Sequence, residues 1–192
     1  MIERAGEHEY LAIPRQVANA IQRDPQLRHA QFESRQALME RLEHTSMSMA
    51  KAYCLRLLQK REYASRELLT KLRDCGYSKD VCDTVVQDLR RANLVSDTRF
   101  TEVFVRSKLS AGWGLRRIER ALEQRGIRTS EITDWPHGFV DVEEELDRAV
   151  DVARRKRVRP PNEFGKLVRF LMGRGFAQHV AMDAARLVLE EE

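Results

Sequence analysis

The sequence predicts an all-α fold: tandem three-helix repeats forming an elongated, curved helical array. Three observations predict it. A cadence of apolar residues four apart, closed by a glycine and one more apolar residue, occurs as Leu68-x3-Leu72-x3-Gly76-Tyr77, as Ile118-x3-Leu122-x3-Gly126-Ile127 and as Leu167-x3-Leu171-x3-Gly175-Phe176. Residues four apart share one helix face, glycine supplies the left-handed residue past a helix end, and the next apolar residue folds back onto the last turn. The register then continues: Val81, Val85 and Leu89 follow the first glycine at the same offsets as Val180, Ala184 and Val188 follow the last. Finally, no stretch of alternating β-branched residues bounded by turns appears, so essentially no sheet is expected. Repetition on this scale implies small units that bury their apolar faces against one another.

Each element has a local reason. Residues 1–48 hold no copy of the cadence, and their apolar positions (Leu11, Ile13, Val17, Ile21, Phe32, Leu38, Leu42) are sparse among balanced charges. A partly disordered or loosely docked extension is expected there, with short helices starting near Pro14 and Gln31. Repeat one spans 49–95. Ser46 or Ser48 offers a cap for a helix through about Lys60 with Met49, Ala52, Leu55 and Leu58 inward; Ser65 caps the next, and Ser78 a third ending near Asn93. Repeat two, 96–138, opens at Ser96-Asp97 with a stripe of Phe100, Val103, Phe104 and Leu109 broken at Ala111-Gly112; its second helix runs from about Leu115 to Arg125. Its third helix is short, because Trp135-Pro136-His137-Gly138 ends it within two turns. Repeat three, 139–192, opens on Asp141-x-x-Glu144, a capping-box pattern, followed by Val142, Leu146, Ala149, Val150 and Ala153 until Pro160-Pro161. Phe164, Leu167, Val168 and Leu171 form the next stripe, and Ala181, Ala184, Ala185 and Val188 the last.

Composition excludes several classes of function. The chain has 192 residues, of which 42% are hydrophobic and 33% charged, too polar for one large spherical core but sufficient for several small ones. No apolar run reaches the length of a membrane span, and Met1-Ile2-Glu3-Arg4 lacks the pattern of a signal peptide, so a cytoplasmic protein is expected. Cys54, Cys75 and Cys82 are odd in number and lie within helical patterns; reduced, partly buried thiols are expected rather than disulfides or a zinc site. Gly112-Trp113-Gly114 begins like a dinucleotide fingerprint but lacks the third glycine, the preceding strand and the later acid. The five histidines are scattered, and Glu143 and Glu144 are helix neighbours facing different directions. No enzyme, cofactor or metal is expected, and a binding protein is the better class.

The net charge is only +4, yet the cations are concentrated. Residues 99–128 carry Arg99, Arg106, Lys108, Arg116, Arg117, Arg120, Arg125 and Arg128 against three glutamates. Residues 151–174 carry Arg154, Arg155, Lys156, Arg157, Arg159, Lys166, Arg169 and Arg174 against Asp151 and Glu163. The intervening acidic run, Asp141, Glu143, Glu144, Glu145 and Asp147, sits at a helix start, where the macrodipole favours it. Arg116, Arg117 and Arg120 open a helix as one cationic face, with Trp113 beside them to stack on a partner or to plug the gap between repeats. The run from Arg154 to Arg157 with Arg159 ends a helix, where cations are favoured anyway, but exceeds that need.

Ser96-Asp97-Thr98-Arg99-Phe100, Arg106-Ser107-Lys108, Gly112-Trp113-Gly114-Leu115-Arg116-Arg117-Ile118 and Leu122-x3-Gly126-Ile127 together resemble the central signature of the RecX family. Ala52-x2-Leu55 with Ser65-x-Glu67-Leu68 and Leu72 resembles its first repeat; Phe164-x-Lys166, Arg169-Phe170-Leu171 and Arg174-Gly175-Phe176 resemble its last. Residues 1–48 match nothing in the family pattern. The resemblance implies a non-enzymatic, monomeric modulator of RecA, the bacterial recombinase that polymerises on single-stranded DNA, and hence a role in DNA repair, recombination and the SOS response. It further implies binding in the groove of the RecA filament, blocked extension or promoted disassembly, and lower ATPase, strand-exchange and coprotease activities. RecA- or DNA-binding candidates are Arg99, Arg106, Lys108, Trp113, Arg116, Arg117, Arg120, Arg154, Arg155, Lys156, Arg157, Arg159, Lys166, Arg169 and Arg174, with weak DNA binding alongside. The alternatives drawn from the residues alone are a direct DNA-binding protein of helix-turn-helix type and a purely protein-binding helical adaptor whose charges only solubilise it.

Overall fold

The computed structural model describes residues 2–4, 7–9, 11–25 and 32–190. They fall into two compact units, residues 1–96 and 97–192.

The first unit opens with two short antiparallel strands, β1 (Ile2–Arg4) and β2 (Glu7–Glu9), the one departure from helix among the described residues. Helix α1 (Arg15–Arg23) follows directly on Pro14, as expected. It is not loosely docked: Val17 is fully buried with the core of the first repeat, and Gln16 Nε2 lies 3.8 Å from Cys75 Sγ. The start expected near Gln31 lies outside the described residues. The next helix, α2, runs unbroken over Arg35–Leu58, with the Ser34 hydroxyl accepting from the Ala37 amide at 3.1 Å. Neither Ser46 nor Ser48 is therefore a cap; Ser46 is a buried residue in mid-helix, and residue 48 marks no break. Ala50 and Cys54 are buried, Met49, Leu55 and Leu58 pack partly buried against the core as expected, and Ala52 is exposed.

Helix α3 (Ser65–Asp74) also departs in detail. Ser65 is its first helical residue rather than its cap, and Glu67 reaches back to the Ala64 amide at 3.4 Å. Helix α4 (Lys79–Arg91) is capped as expected by Ser78, which accepts from Val81 at 3.3 Å. Leu68, Leu72 and Leu89 are fully buried, with Val81 and Val85 beside them.

Cys54, Cys75 and Cys82 are free thiols, and Cys54 and Cys82 are buried. Burial, and then the neighbouring Cys82 and Cys75, push the Cys54 thiol from 9.0 up to about 11. Burial likewise raises Tyr53, Tyr77 and Cys82. An acid whose folded pKa is raised stays protonated in the fold while the unfolded chain ionises, so its contribution is complete below about pH 9 and is lost as pH climbs toward 11. The first unit should melt lower at pH 10.5 than at pH 8, with a Cys54 contribution on the order of 2 kcal/mol. Cys54→Ala should flatten that dependence in thermal melts followed by circular dichroism.

The second unit contains α5 (Asp97–Ser110), α6 (Leu115–Glu123), a single 3-10 turn (Thr129–Glu131), α7 (Glu145–Arg154), α8 (Glu163–Arg174) and α9 (Gln178–Glu190). In α5, Phe100, Thr101 and Val105 are buried, while Val103, expected inward, is 55% exposed. The third helix of repeat two is shorter than expected, just the one turn. Asp141 does not cap α7; its carboxylate accepts from Glu143 at 3.0 Å in a local turn, and the helix starts four residues later. It also stops at Arg154, well before Pro160. Ala149 and Ala153 of α7 face Ala181, Ala184 and Ala185 of α9, small residues that let the helices approach closely, with Leu167, Leu171 and Phe176 completing the core.

All three cadences adopt the geometry their residues imply. Gly76, Gly126 and Gly175 have φ of +86°, +78° and +98°. Tyr77, Ile127 and Phe176 each donate a backbone N–H to the leucine five residues earlier, at 3.2, 3.1 and 3.2 Å. This is the Schellman closure, which satisfies carbonyls that a helix end leaves without partners. Among the described residues no helix is long and apolar enough to cross a membrane, and no group of three His, Cys, Asp or Glu side chains is placed to hold a metal.

Candidate functional site

The Gly112-Trp113-Gly114 turn joins α5 to α6 in the second unit, and its glycines answer a steric demand. A Cβ on Gly114 would fall 2.3 Å from the Phe176 nitrogen and 2.4 Å from the Gly175 carbonyl carbon. The gap is that narrow because two backbones are hydrogen-bonded there: the Gly114 amide donates to the Arg174 carbonyl at 2.9 Å, and the Arg116 amide to the Gly175 carbonyl at 3.2 Å. The Leu115 amide donates to Glu145 Oε1 at 3.1 Å. A helix start leaves several amides without intrahelical partners, and those at the start of α6 are satisfied by Glu145 and by the Arg174 and Gly175 carbonyls. Arg174 closes the junction from the other side, donating to the Ala111 carbonyl at 3.1 Å.

Glu145 is the residue the sequence reading missed. It sat within an acidic run explained by the helix dipole, yet it is only 9% exposed and caps a helix thirty residues away. Its spacing of four from Ala149 and eight from Ala153, both buried, was the available signal.

The cations divide by what they touch. Arg117, expected on one face with Arg116 and Arg120, instead lies over the Trp113 ring at 3.9 Å and packs against Gly175. Trp113 is half-buried between Arg117 and Lys108, whose ammonium is 5.0 Å from the ring centre. Lys166 donates to the Arg159 carbonyl at 2.6 Å and ties down the segment between α7 and α8. Arg154 lies 3.7 Å from Asp151, and of the run expected to end a helix only Arg154 is helical. Arg99 is half-buried on α5, and Arg106 and Arg169 are exposed on α5 and α8.

Arg157 and Arg159 are exposed, and two clefts collect Arg116, Arg120, Arg155, Lys156 and Arg174. The first, about 310 Å³, is lined by Ser110, Gly112, Val152, Phe170 and the cations Arg155, Lys156 and Arg174. Lys156 and Arg174 both lie over the Phe170 ring, at 5.1 and 5.2 Å from its centre. The second, about 480 Å³, is lined by Arg116, Arg120, Glu119, Met172, Gly175 and Phe176. Glu119 is engaged there by the Trp135 indole N–H at 3.0 Å. Arg116, Arg120, Arg155, Lys156, Arg157, Arg159, Arg169 and Arg174 form no ion pair among the described residues.

Tandem three-helix domains that carry exposed cations around two clefts define the class of helical-repeat proteins. Comparison with known proteins is specific. The RecX first three-helix domain matches residues 50–89 and the RecX second three-helix domain matches residues 96–134. Regulatory protein RecX of Mycolicibacterium vanbaalenii is 34% identical over 155 residues, covering 74% of this chain and 84% of that protein. Regulatory protein RecX of Legionella pneumophila (strain Corby) is 32% identical over 142 residues, covering 69% of this chain and 91% of that one. The chain belongs to the RecX family. Its fold is also that of the crystal structure of RecX from Lactobacillus salivarius, with a TM-score of 0.63 at 19% identity over 74% of this chain and 96% of the other. A second RecX crystal structure gives 0.65 at 20% identity over 86% and 82%.

Proposed function

We propose that this chain binds RecA and the RecA filament on single-stranded DNA, acting in the cytoplasm as a restraint on recombination. Bound in the filament groove, it blocks extension or promotes disassembly, and so lowers ATP hydrolysis, strand exchange and coprotease activity. The observation that carries this reading is family membership: the relatives named regulatory protein RecX match across both three-helix domains and most of their own length. The cations of the second unit that form no ion pair, Arg116, Arg120, Arg155, Lys156 and Arg174 among them, support it, because exposed positive charge that no carboxylate neutralises can meet an acidic protein surface or phosphates.

A direct reader of duplex DNA is less well supported. In a three-helix reader the last helix enters the major groove. Here that element of repeat two is one 3-10 turn. On α4, Lys79 and Arg91 pair with Asp83 and Asp88, and on α9 Arg186 pairs with Asp183.

The test is RecA's DNA-dependent ATPase titrated with this protein. Substoichiometric protein should slow hydrolysis and shorten preformed filaments; unchanged hydrolysis at a one-to-one ratio would overturn the reading.

A further inference from the structure

We infer that the cleft between the end of α5, the end of α7 and α8 is a binding site for the phosphodiester backbone of single-stranded nucleic acid, with Arg155, Lys156 and Arg174 as its ligands. The inference deepens the proposed function, and it rests on that reading only for the source of the strand, not for its chemistry.

The two clefts of the second unit differ in what they can accept. The cleft around Arg116 and Arg120 mixes cations with the Glu119 carboxylate and the 42% exposed Met172, a lining suited to protein side chains of both kinds. The cleft around Lys156 contains three cations and no carboxylate. Such a site repels nothing in a phosphate and leaves three positive charges to be compensated.

Arg174 is prepared for this role. One guanidinium nitrogen is fixed on the Ala111 carbonyl and the group rests on Phe170, so it is oriented before any ligand arrives. A planar guanidinium held in this way keeps further N–H groups in a fixed fork that suits a phosphate. Lys156 rests on the same ring, while Arg155 is exposed beside it. Because Phe170 already carries two cations, it orients them rather than stacking a base. The site therefore reads charge and not sequence.

Shape selects the single strand. The cleft, about 310 Å³, lies at the small end of ligand sites. Duplex DNA is read by convex elements that enter its grooves, whereas a concave cationic site suits a bendable unpaired strand.

The test uses the full chain and fluorescent oligonucleotides of thymidine and of cytidine, with RecA absent, so that its failure is distinct from failure of RecA inhibition. Binding should be equal for the two bases and weaker for a duplex of the same length. Arg155→Gln with Lys156→Gln should weaken it about ten-fold, and reduce the slope of log affinity against log salt by about 1.4, the value for two phosphate contacts on a single strand. The control, Lys51→Gln with Arg66→Gln, removes the same charge from exposed positions of the first unit and should change affinity less than about two-fold. Equal losses in both variants, no loss in the first, or tighter duplex binding would overturn the assignment. A photo-crosslinking residue at Ser110, which lines the cleft without removing a cation, should capture the oligonucleotide; a crosslink no stronger than from Lys51 would also overturn it.

Discussion

Gly114→Ala is expected to destabilise the second unit by roughly 3 kcal/mol, the upper end of the usual cost of overpacking, because the atoms it meets are backbone and cannot yield. The new methyl would meet backbone atoms of Gly175 and Phe176, and relieving that contact means breaking the hydrogen bonds from Gly114 and Arg116. Gly173→Ala supplies the opposite sign. It lies within α8, nothing approaches its added Cβ within 4 Å, and a helix-interior glycine costs about 0.5 to 1 kcal/mol relative to alanine. Thermal or urea melts of the two variants should bracket the parent protein; two indistinguishable melts would mean that the close approach of the turns is not rigid.

The second large effect separates arginines that sit in adjacent turns. Arg116→Glu with Arg120→Glu should leave folding near that of the parent, since both side chains are exposed and surface charges contribute little. The same variant should weaken inhibition of the RecA ATPase, because it reverses the two cations of the cleft around Met172. Arg117→Glu should instead lower the melting temperature, since the lost stacking on Trp113 alone removes about 1 to 2 kcal/mol of stability. A carboxylate at that position would also be held against the indole face and the Gly175 backbone. Undiminished inhibition by the Arg116 and Arg120 variant, with folding intact, would move the functional surface to another part of the chain.

Which parts of this were legible in the sequence follows from where each feature's cause lies. The Schellman closures at Gly76, Gly126 and Gly175 depend on residues within one turn, and the sequence displays them directly. The start of α2 differs because Ser34, Ser46 and Ser48 are equivalent as local signals, and the helix runs unbroken from the Ser34 cap through both of the others. Val103, expected inward, is exposed and Val105 is buried for a similar reason: both are apolar, and which one faces inward is set by the packing of α5. The cations were legible as a group, but not their partition. Nothing local distinguishes Arg117 from Arg116; the distinction comes from Trp113 on one side and from Gly175, nearly sixty residues away, on the other. Glu145 shows the same limit, its acceptor role being defined by an amide far along the chain.

The borrowed cap at the start of α6 has a consequence for how such an array can be divided. Repeat proteins are often treated as beads whose stabilities add, each able to be trimmed or appended alone. Here three amides of one bead are closed by a carboxylate and two carbonyls belonging to the next. Cutting the chain after residue 138 strips the survivor of partners for those groups, exposing them to water and removing the geometry that holds the helix start. The helices on either side of residue 138 are thus expected to melt together, and the natural place to shorten this protein is the boundary of its two compact units at residue 96.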